Sequence, residues 1–281
     1  MEPSSARMMT RPIPVSGEML PVIGLGTFNT FNVGDDPGAR RQLTEVLRLF
    51  FAGGGRVIDS SPMYGRAEGV VGDLLAGLPA HETPFLATKV WTTGREAGIE
   101  QMSRSATLMR AAPLDLIQIH NLVDWRTQLA TLRAMKAAGQ VRYLGITHYT
   151  SAALPALAEI IEREQLDFVQ LAYSIEERAP ESRLLPLAAE RGVAVIVNLP
   201  FSSGSLMSRV RRTALPSWAA DFECASWAEL LLKFIVSHPA VTCVIPATAD
   251  PAHMADNLAA GFGRIPDQAE RQRMVKLWES V

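Results

Sequence analysis

The feature that most constrains the fold of this chain is a repeated alternation of two sequence patterns. Short apolar runs of strand length recur along the chain, and between them apolar residues return at helical spacing. Eight such strand–helix units predict a (β/α)8 barrel, a fold that usually takes about 250 residues. A single doubly wound sheet is the alternative. The eight predicted strands are residues 22–26, 57–58, 85–87, 114–119, 143–146, 168–172, 194–197 and 242–245.

We interpret residues 1–281 as one domain, because 48% of the residues are hydrophobic and can bury one large core. The proline-rich stretch at 11–22 suits a short N-terminal β-hairpin rather than a barrel strand. Residues 200–225, after the seventh strand, have no long periodic segment and predict a long loop. Extra C-terminal helices complete the predicted α/β TIM barrel.

Charge and cysteine content exclude several classes of function. The formal net charge of −2 offers no field that would attract nucleic acid or anionic lipid. Cys224 and Cys243 are too few for a disulfide framework or zinc site and suggest free thiols in a reducing compartment. No apolar run approaches a membrane span, and residues 1–11 lack the apolar stretch of a signal peptide. We therefore expect a soluble, cytoplasmic protein that acts on a small molecule, with a monomer favoured.

Four polar side chains follow three successive predicted strands. Asp59 and Tyr64 follow the second strand, Lys89 follows the third and His120 the fourth. Barrel sites lie at the carboxyl ends of the strands, so these four side chains are expected to converge. Each alone has an ordinary structural interpretation, since strand ends also hold loop anchors, helix caps and satisfied polar groups.

Together the four residues suit proton transfer to a carbonyl oxygen. A phenol with a pKa of about 10 is a poor acid, but an adjacent Lys89 ammonium would stabilise the Tyr64 phenolate. Asp59 supplies the counter-charge that keeps a half-buried ammonium protonated. His120 could orient the carbonyl or assist the proton. The set predicts an enzyme that protonates a carbonyl oxygen while another group attacks its carbon.

The chain resembles the aldo-keto reductase family in a series of motifs that run in order along the sequence. They are Gly24-Leu-Gly-Thr27, Val57-Ile-Asp-Ser-Ser-Pro-Met-Tyr64-Gly with Glu68, Ala87-Thr-Lys89-Val, Leu116-Ile-Gln-Ile-His120-Asn and the stretch 245–257. The resemblance implies a (β/α)8 barrel that transfers hydride from a nicotinamide dinucleotide to an aldehyde or ketone. It also implies that Tyr64 is the general acid, that Lys89 and Asp59 tune it, and that His120 orients the carbonyl.

The resemblance further implies an NADP(H) site and no metal. Barrels of this family hold the dinucleotide without a Rossmann Gly-x-Gly-x-x-Gly turn, and this chain has none. The implied cofactor-binding residues, besides Asp59, are Gly26, Thr27, Thr147, His148, Gln170, Asn198, Leu199, Phe201, Gly204, Ala247, Thr248, His253, Asp256 and Asn257.

Three positions depart from the family pattern. His148 stands where the family usually has asparagine, and Asn198 stands where an aromatic ring often stacks on nicotinamide. Residues 247–253 contain no lysine or arginine to bind an adenosine 2′-phosphate, and they contain Asp250. We therefore predict that a preference for NADPH is weak or reversed in favour of NAD(H), unless an arginine at 209, 211 or 212 reaches the phosphate.

Four large apolar residues in predicted rim loops would line the substrate pocket: Phe28, Met63, Trp91 and Trp125. Such a mouth favours apolar or aromatic carbonyl compounds. Two other functions remain open. One is a dinucleotide-binding redox-sensing or regulatory module with little turnover, and the other is a Schiff-base lyase with Lys89 as nucleophile.

Overall fold

The computed structural model describes residues 7–79 and 83–281. The expectation about a signal peptide falls partly on residues 1–6, which lie outside these ranges. Within them the chain forms ten strands, of which eight are parallel and pair in sequence order from β3 to β10. The strands are β1 Thr10–Pro12, β2 Met19–Pro21, β3 Leu25–Gly26, β4 Val57–Asp59, β5 Phe85–Val90, β6 Leu114–His120, β7 Val141–His148, β8 Phe168–Ala172, β9 Ala194–Asn198 and β10 Val241–Val244.

The helices follow the strands in the order expected of repeated βα units. They are α1 Pro37–Ala52, α2 Ala67–Ala76, α3 Arg95–Leu108, α4 Trp125–Ala137, α5 Leu154–Arg163, α6 Leu184–Glu190, α7 Ser205–Val210, α8 Trp227–Val236, α9 Pro251–Ala259 and α10 Gln268–Ser280. The first of them shows how the sequence sets these boundaries: the Asp36 side chain caps it and Pro37 occupies its first turn. Its buried residues belong to a large apolar cluster, and it packs against α9 and α2.

Pairing between the first and last barrel strands closes the sheet. Isolated bridges join Ile23 to Val244 and Gly26 to Ala247, and the Gly24 N–H donates to the Val244 carbonyl over 2.8 Å. The predicted (β/α)8 barrel is therefore confirmed, and the doubly wound sheet is wrong. The first barrel strand, β3, is shorter than the predicted strand at 22–26, since only Leu25 and Gly26 form a regular ladder with β4.

The predicted N-terminal hairpin covers the floor of the barrel. Strands β1 and β2 pair antiparallel, and Ile13 and Leu20, both fully buried, belong to the apolar cluster that fills the lower barrel with residues such as Phe85 and Phe168. A second, larger apolar cluster lies mainly between the strands and the helices. The lower barrel is thus packed, and the polar side chains of the interior collect at its upper end.

Two further expectations are refined. Residues 200–225 are not a plain loop, because they contain helix α7 and two 3-10 turns at Ser202–Gly204 and Ser217–Phe222. Helices α9 and α10 are the predicted C-terminal additions. Among the described helices, none combines the length and hydrophobicity needed to cross a membrane. The assignment of residues 1–281 to one domain stays a prediction.

Candidate active site

Three adjacent strands deliver the predicted catalytic side chains to the carboxyl end of the barrel. Asp59 ends β4, Lys89 is the penultimate residue of β5 and His120 ends β6. Tyr64 follows in the turn between β4 and α2. The structure therefore brings together all four residues that were selected because they follow predicted strands.

Asp59 and Lys89 form a buried ion pair. Their side chains are 3% and 1% exposed, and Lys89 Nζ donates to Asp59 Oδ2 over 2.5 Å and to the Ser60 carbonyl over 2.7 Å. Burial on its own lowers the pKa of Lys89, but the Asp59 carboxylate and Tyr64 outweigh it and raise the pKa above its ordinary value. Lys89 is therefore a charged ammonium at neutral pH.

The Tyr64 phenol lies beside this ammonium. Lys89 Nζ is 5.0 Å from the centre of the Tyr64 ring, and the Phe28 ring packs against the same phenol with centroids 5.0 Å apart. Burial raises the pKa of Tyr64 above its ordinary value, while the Lys89 ammonium acts in the opposite direction. The expected effect of Lys89 is present, but burial exceeds it. The net result is a phenol that stays protonated at neutral pH.

His120 faces Tyr64 across the cluster and is neutral. The two rings meet edge to face with centroids 6.1 Å apart. Burial, the Lys89 ammonium and His148 lower the pKa of His120 to about 3. Its Nδ1 lies 3.0 Å from the hydroxyl of Ser61, a contact that the sequence analysis did not identify. At neutral pH the ring can therefore donate one hydrogen bond but carries no charge.

Two buried glutamines hold the Asp59 carboxylate from the side opposite Lys89. Gln118 Nε2 and Gln170 Nε2 donate to Asp59 Oδ1 over 3.0 Å and 2.9 Å. Gln118 is not among the site residues predicted from the sequence. Its position in strand β6, two residues before His120, was the available signal, because alternate residues of a strand share one face.

A chain of amides extends from this carboxylate towards β7 and β9. Gln170 Oε1 accepts from Asn198 Nδ2 over 3.2 Å and from the Thr147 hydroxyl over 3.3 Å. Among the described residues, the buried Asn198 Oδ1 has no hydrogen-bond partner. A buried oxygen of this kind normally has a partner, so it fits a ligand that brings an N–H donor.

His148, at the end of β7, is oriented by its own loop. Its Nδ1 lies 3.2 Å from the Thr150 amide, which donates to it, and its ring stacks on Tyr149 with centroids 5.5 Å apart. Burial lowers its pKa. Because Nδ1 accepts from the backbone, a neutral His148 carries its proton on Nε2. Its free edge is thus a donor, as the amide of an asparagine would be.

The loop that follows β9 has a backbone suited to an anion. Leu199, Ser202, Ser203 and Gly204 all have positive φ, between 46° and 91°. Concave backbone nests that bind phosphate groups form where a residue of negative φ is followed by a left-handed one, as Phe201 with φ −113° is followed by Ser202. A Cβ added at Gly204 would meet no atom within 4 Å, so this position opens to solvent. Phe201 is half-buried and packs against the larger apolar cluster.

The segment after β10 holds the predicted adenosine contacts. Ala247 and His253 are exposed, whereas Thr248 and Asn257 are buried. Asp250 caps helix α9, and its carboxylate accepts from the amides of residues 252 and 253 over 2.7 Å and 3.4 Å. Asp256 accepts from the Ser226 hydroxyl over 2.9 Å.

The predicted cofactor residues Gly26 and Thr27 lie at the end of β3. Gly26 lies against the chain that leaves β10, since a Cβ on Gly26 would be 2.8 Å from the Ile245 carbonyl oxygen. Thr27 is buried and donates to the Asp59 carbonyl over 3.0 Å.

The predicted substrate residues surround the barrel mouth unevenly. Phe28, Met63 and Trp91 are 48%, 39% and 43% exposed, while Trp125 is half-buried beneath the Arg126 guanidinium. Tyr149, 54% exposed, is a further aromatic that the sequence analysis did not include. Its signal was its position directly after the residue that ends β7. The mouth is therefore edged by exposed apolar surface, as a site for apolar ligands requires.

Among the side chains that the structure describes, there is no group of three or more histidine, cysteine, aspartate or glutamate residues suited to a metal ion. The expectation that no metal is bound stays a prediction. A groove of about 960 Å³ lies at the opposite end of the barrel, and Pro14, Lys136, Leu166 and Val193 contribute to its lining. None of the predicted site residues lines it. We therefore place the chemistry at the cluster of charged side chains rather than in this groove.

Comparison with known sequences identifies relatives along most of the chain. The Aldo/keto reductase family model matches residues 22–276. The NADH-specific methylglyoxal reductase of Escherichia coli is 27% identical over 208 residues, which cover 64% of this chain and 62% of that protein. The chain therefore spans less than two thirds of the length of this curated relative.

Solved structures share the fold. An aldo-keto reductase from Klebsiella pneumoniae in complex with NADPH superposes with a TM-score of 0.81 at 24% identity, covering 96% of both chains. The holo form of an aldo-keto reductase from Bacillus halodurans gives a TM-score of 0.77 at 25% identity, again over 96% of both chains.

Proposed function

This chain belongs to the aldo/keto reductase family, and we propose from that premise that it is an NAD(P)H-dependent oxidoreductase that reduces aldehydes or ketones to alcohols. One observation carries the proposal: a buried phenol, a buried ammonium–carboxylate pair and a neutral imidazole meet at the carboxyl end of the barrel. This combination supplies a proton and a hydrogen bond at one point, which is what the oxygen of a carbonyl needs as it is reduced.

The proton comes from Tyr64. Its phenol is protonated at neutral pH, so it is in the form required of an acid. When the proton leaves, the Lys89 ammonium stabilises the phenolate, and this interaction is stronger in a buried site than in water. The Asp59 carboxylate keeps Lys89 charged throughout. Tyr64, Lys89 and Asp59 thus act as one proton-donating unit.

His120 orients the substrate. A neutral imidazole donates one hydrogen bond without placing a second positive charge next to Lys89. With Tyr64 on one side and His120 on the other, a carbonyl oxygen can accept two hydrogen bonds. Two such donors would also stabilise the negative charge that develops on this oxygen.

The opposite side of the mouth fits a nicotinamide dinucleotide. Asn198 Oδ1 lacks a partner among the described residues and would accept from a carboxamide N–H, while His148 Nε2 would donate to its oxygen. The positive-φ loop 199–204 would hold the pyrophosphate. When bound, the dinucleotide supplies the hydride that reduces the carbonyl carbon.

We further propose that the enzyme prefers NADH. The 2′-phosphate of NADPH carries a charge of about −1.5 to −2 and calls for lysine or arginine. The 247–253 segment offers none, and the amides at the start of α9 already bind the Asp250 carboxylate. Arg209 donates to the carbonyl oxygens of Trp278 and Val281, which commits it to the C-terminal helix. Charge at this end therefore favours the ribose 2′-hydroxyl over a phosphate.

The proposed substrates are small apolar or aromatic carbonyl compounds. Phe28, Met63, Trp91 and Trp125 would provide apolar contacts around a shallow opening, and such contacts discriminate weakly between related compounds. Small differences in substrate shape should therefore change KM more than kcat.

We also propose a cytoplasmic location, since Cys224 and Cys243 are both buried free thiols.

The decisive experiment measures cofactor oxidation with a panel of aldehydes and ketones, in wild type and in Tyr64→Phe. Carbonyl-dependent oxidation that falls at least about 100-fold in the variant supports the reductase. Cofactor binding without turnover would instead indicate a redox-sensing module, and borohydride trapping of a substrate on Lys89 would indicate a lyase. A preference for NADPH above about 100-fold, or roughly 2.7 kcal/mol, would contradict the NADH proposal.

A further inference from the structure

Ser61 contributes a buried hydroxyl that the chemistry above does not use. The residue is fully buried in the turn between Asp59 and Tyr64. Its Oγ accepts from the Met63 amide over 3.3 Å and lies 3.0 Å from His120 Nδ1. A serine hydroxyl has one proton and two lone pairs. The Met63 amide is a donor and can occupy only a lone pair of this hydroxyl. The proton of Ser61 is therefore available to His120 Nδ1.

The partner of Ser61 in this contact is His120, whose surroundings keep its imidazole ring uncharged. The titratable groups that face it are Lys89 on β5, His148 on β7 and Tyr64 in the turn after β4. Burial and the Lys89 ammonium disfavour the imidazolium, and His148 acts in the same direction when it is protonated. A neutral imidazole has one donor nitrogen and one acceptor nitrogen, and the partner of one determines the role of the other.

We propose that Ser61 is a positioning residue that donates to His120 Nδ1 and thereby fixes the proton of His120 on Nε2, the nitrogen that faces the substrate carbonyl. Its kinetic consequence rests on the proposed reductase function, whereas the tautomer itself does not. The opposite tautomer would make Ser61 accept from both Met63 and His120, with no acceptor among the described residues for its own proton. It would also turn a lone pair of Nε2 towards the carbonyl oxygen, which repels it.

The tautomer is measurable without cofactor or substrate. Protein labelled with ¹⁵N-histidine, at pH 7, should show a proton on Nε2 of His120 and none on Nδ1, with the resonances assigned by their loss in His120→Gln. A proton on Nδ1 in the wild type overturns the proposal. Ser61→Ala should shift the Nδ1 resonance to that of a nitrogen without a hydrogen bond, and an unchanged Nδ1 resonance also overturns it.

Kinetics test the consequence. Ser61→Ala should lower kcat/KM for the carbonyl about tenfold, with the dissociation constant of NADH unchanged. The matched control is Ser237→Ala, another buried serine, whose hydroxyl donates to the Phe234 carbonyl at the end of α8. It should retain wild-type kinetics.

Equal kcat/KM in Ser61→Ala and wild type, or an equal loss in Ser237→Ala, overturns the positioning role. A wild type without carbonyl turnover refutes the reductase function instead, and the ¹⁵N spectrum then decides the tautomer. The wild-type spectrum decides it equally if Ser61→Ala does not fold.

Discussion

Two polar groups at the barrel mouth, the Asp59 carboxylate and the Asn198 amide, differ in how completely the protein satisfies them. On the side of β4 to β6, Asp59 accepts from Lys89, Gln118 and Gln170, so each oxygen of this carboxylate has a partner. On the side of β7 to β10, Asn198 Oδ1 has no partner among the described residues. The carboxylate of the proposed proton-donating side is thus fully partnered without a ligand, whereas the proposed cofactor side leaves an acceptor for one.

This difference explains where the chain departs from its family. The departures, at His148, Asn198 and residues 247–253, all lie on the proposed cofactor side. Changes there alter contacts with a ligand, while a change at Asp59 or Lys89 would leave a buried charge unpaired. Variants on the first side should therefore affect folding and rate together, and variants on the second side should affect mainly affinity.

The largest expected effect is that of Lys89→Met. Without the ammonium, the Tyr64 phenolate loses its counter-charge and the buried Asp59 carboxylate keeps only its two glutamine donors, so kcat should fall about 1,000-fold and the unfolding free energy by about 3 kcal/mol. Urea denaturation and single-turnover kinetics measure the two losses. The control is Lys233→Met, a lysine equally buried that donates to the carbonyls of Phe262 and Arg264. It should lose stability but keep kcat, and a Lys89→Met variant with normal kcat would break the contrast.

The next effect is a pH dependence of stability that arises from His120. Its folded pKa, about 3, lies below its ordinary value of 6.5. The unfolded chain therefore binds more protons as the pH falls, and the contribution of His120 to stability is complete above pH 6.5 and declines towards pH 3. Between pH 6.5 and 4 the wild type should lose roughly 2 to 3 kcal/mol more than His120→Gln.

Denaturant titrations at half-unit pH steps test this slope. His238 also has a lowered pKa, about 4, because burial, Arg271 and Arg11 outweigh the opposite effect of Glu181. Its contribution is the same in both proteins and cancels in the comparison. Parallel curves for the two proteins would show that His120 is readily protonated in the folded protein. The proposal that His120 acts as a neutral hydrogen-bond donor would then be wrong.

A smaller effect is expected from Asp250→Asn. Asparagine keeps the cap of α9 but removes the negative charge at the proposed 2′-phosphate position. The ratio of kcat/KM with NADPH to that with NADH should rise about tenfold, or roughly 1.4 kcal/mol. Asp267→Asn, at the cap of α10, is the matched control and should leave the ratio unchanged. An unchanged ratio in both variants would remove Asp250 from cofactor selection.

The smallest effect is expected from His148→Asn. Either residue can donate to a carboxamide, so the dissociation constant of NADH should change by about threefold or less, with the stability preserved. Quenching of tryptophan fluorescence measures this constant. A loss of affinity above about 30-fold would show that the stacked pair of His148 and Tyr149 is as tightly coupled as the cluster around Asp59.

Much of this arrangement could be predicted from sequence, because strand ends are local signals. Apolar runs that end in Asp59, Lys89 and His120 identify both the strands and the edge at which their side chains meet. Gln118 escaped prediction because it lies within a strand rather than after one, and only its spacing of two residues from His120 marks the face that they share. Helix α7 escaped because its six residues are too few to show a period.

The net pKa of Tyr64 could not be predicted for a different reason. Its direction depends on how much protein surrounds the phenol, and burial by Phe28 and its neighbours is a property of the tertiary fold. The Ser61 contact is similar, since 59 positions separate the hydroxyl from the imidazole that it meets.

The Asp59 carboxylate joins four strands, because its partners come from β5, β6 and β8. A substitution that retunes the chemistry at this position would also loosen the connections between those strands. A substitution at Asp59 should therefore lower both the proposed turnover and the fraction of chains that stay folded, so the reaction cannot be adjusted at this residue without a cost to the barrel.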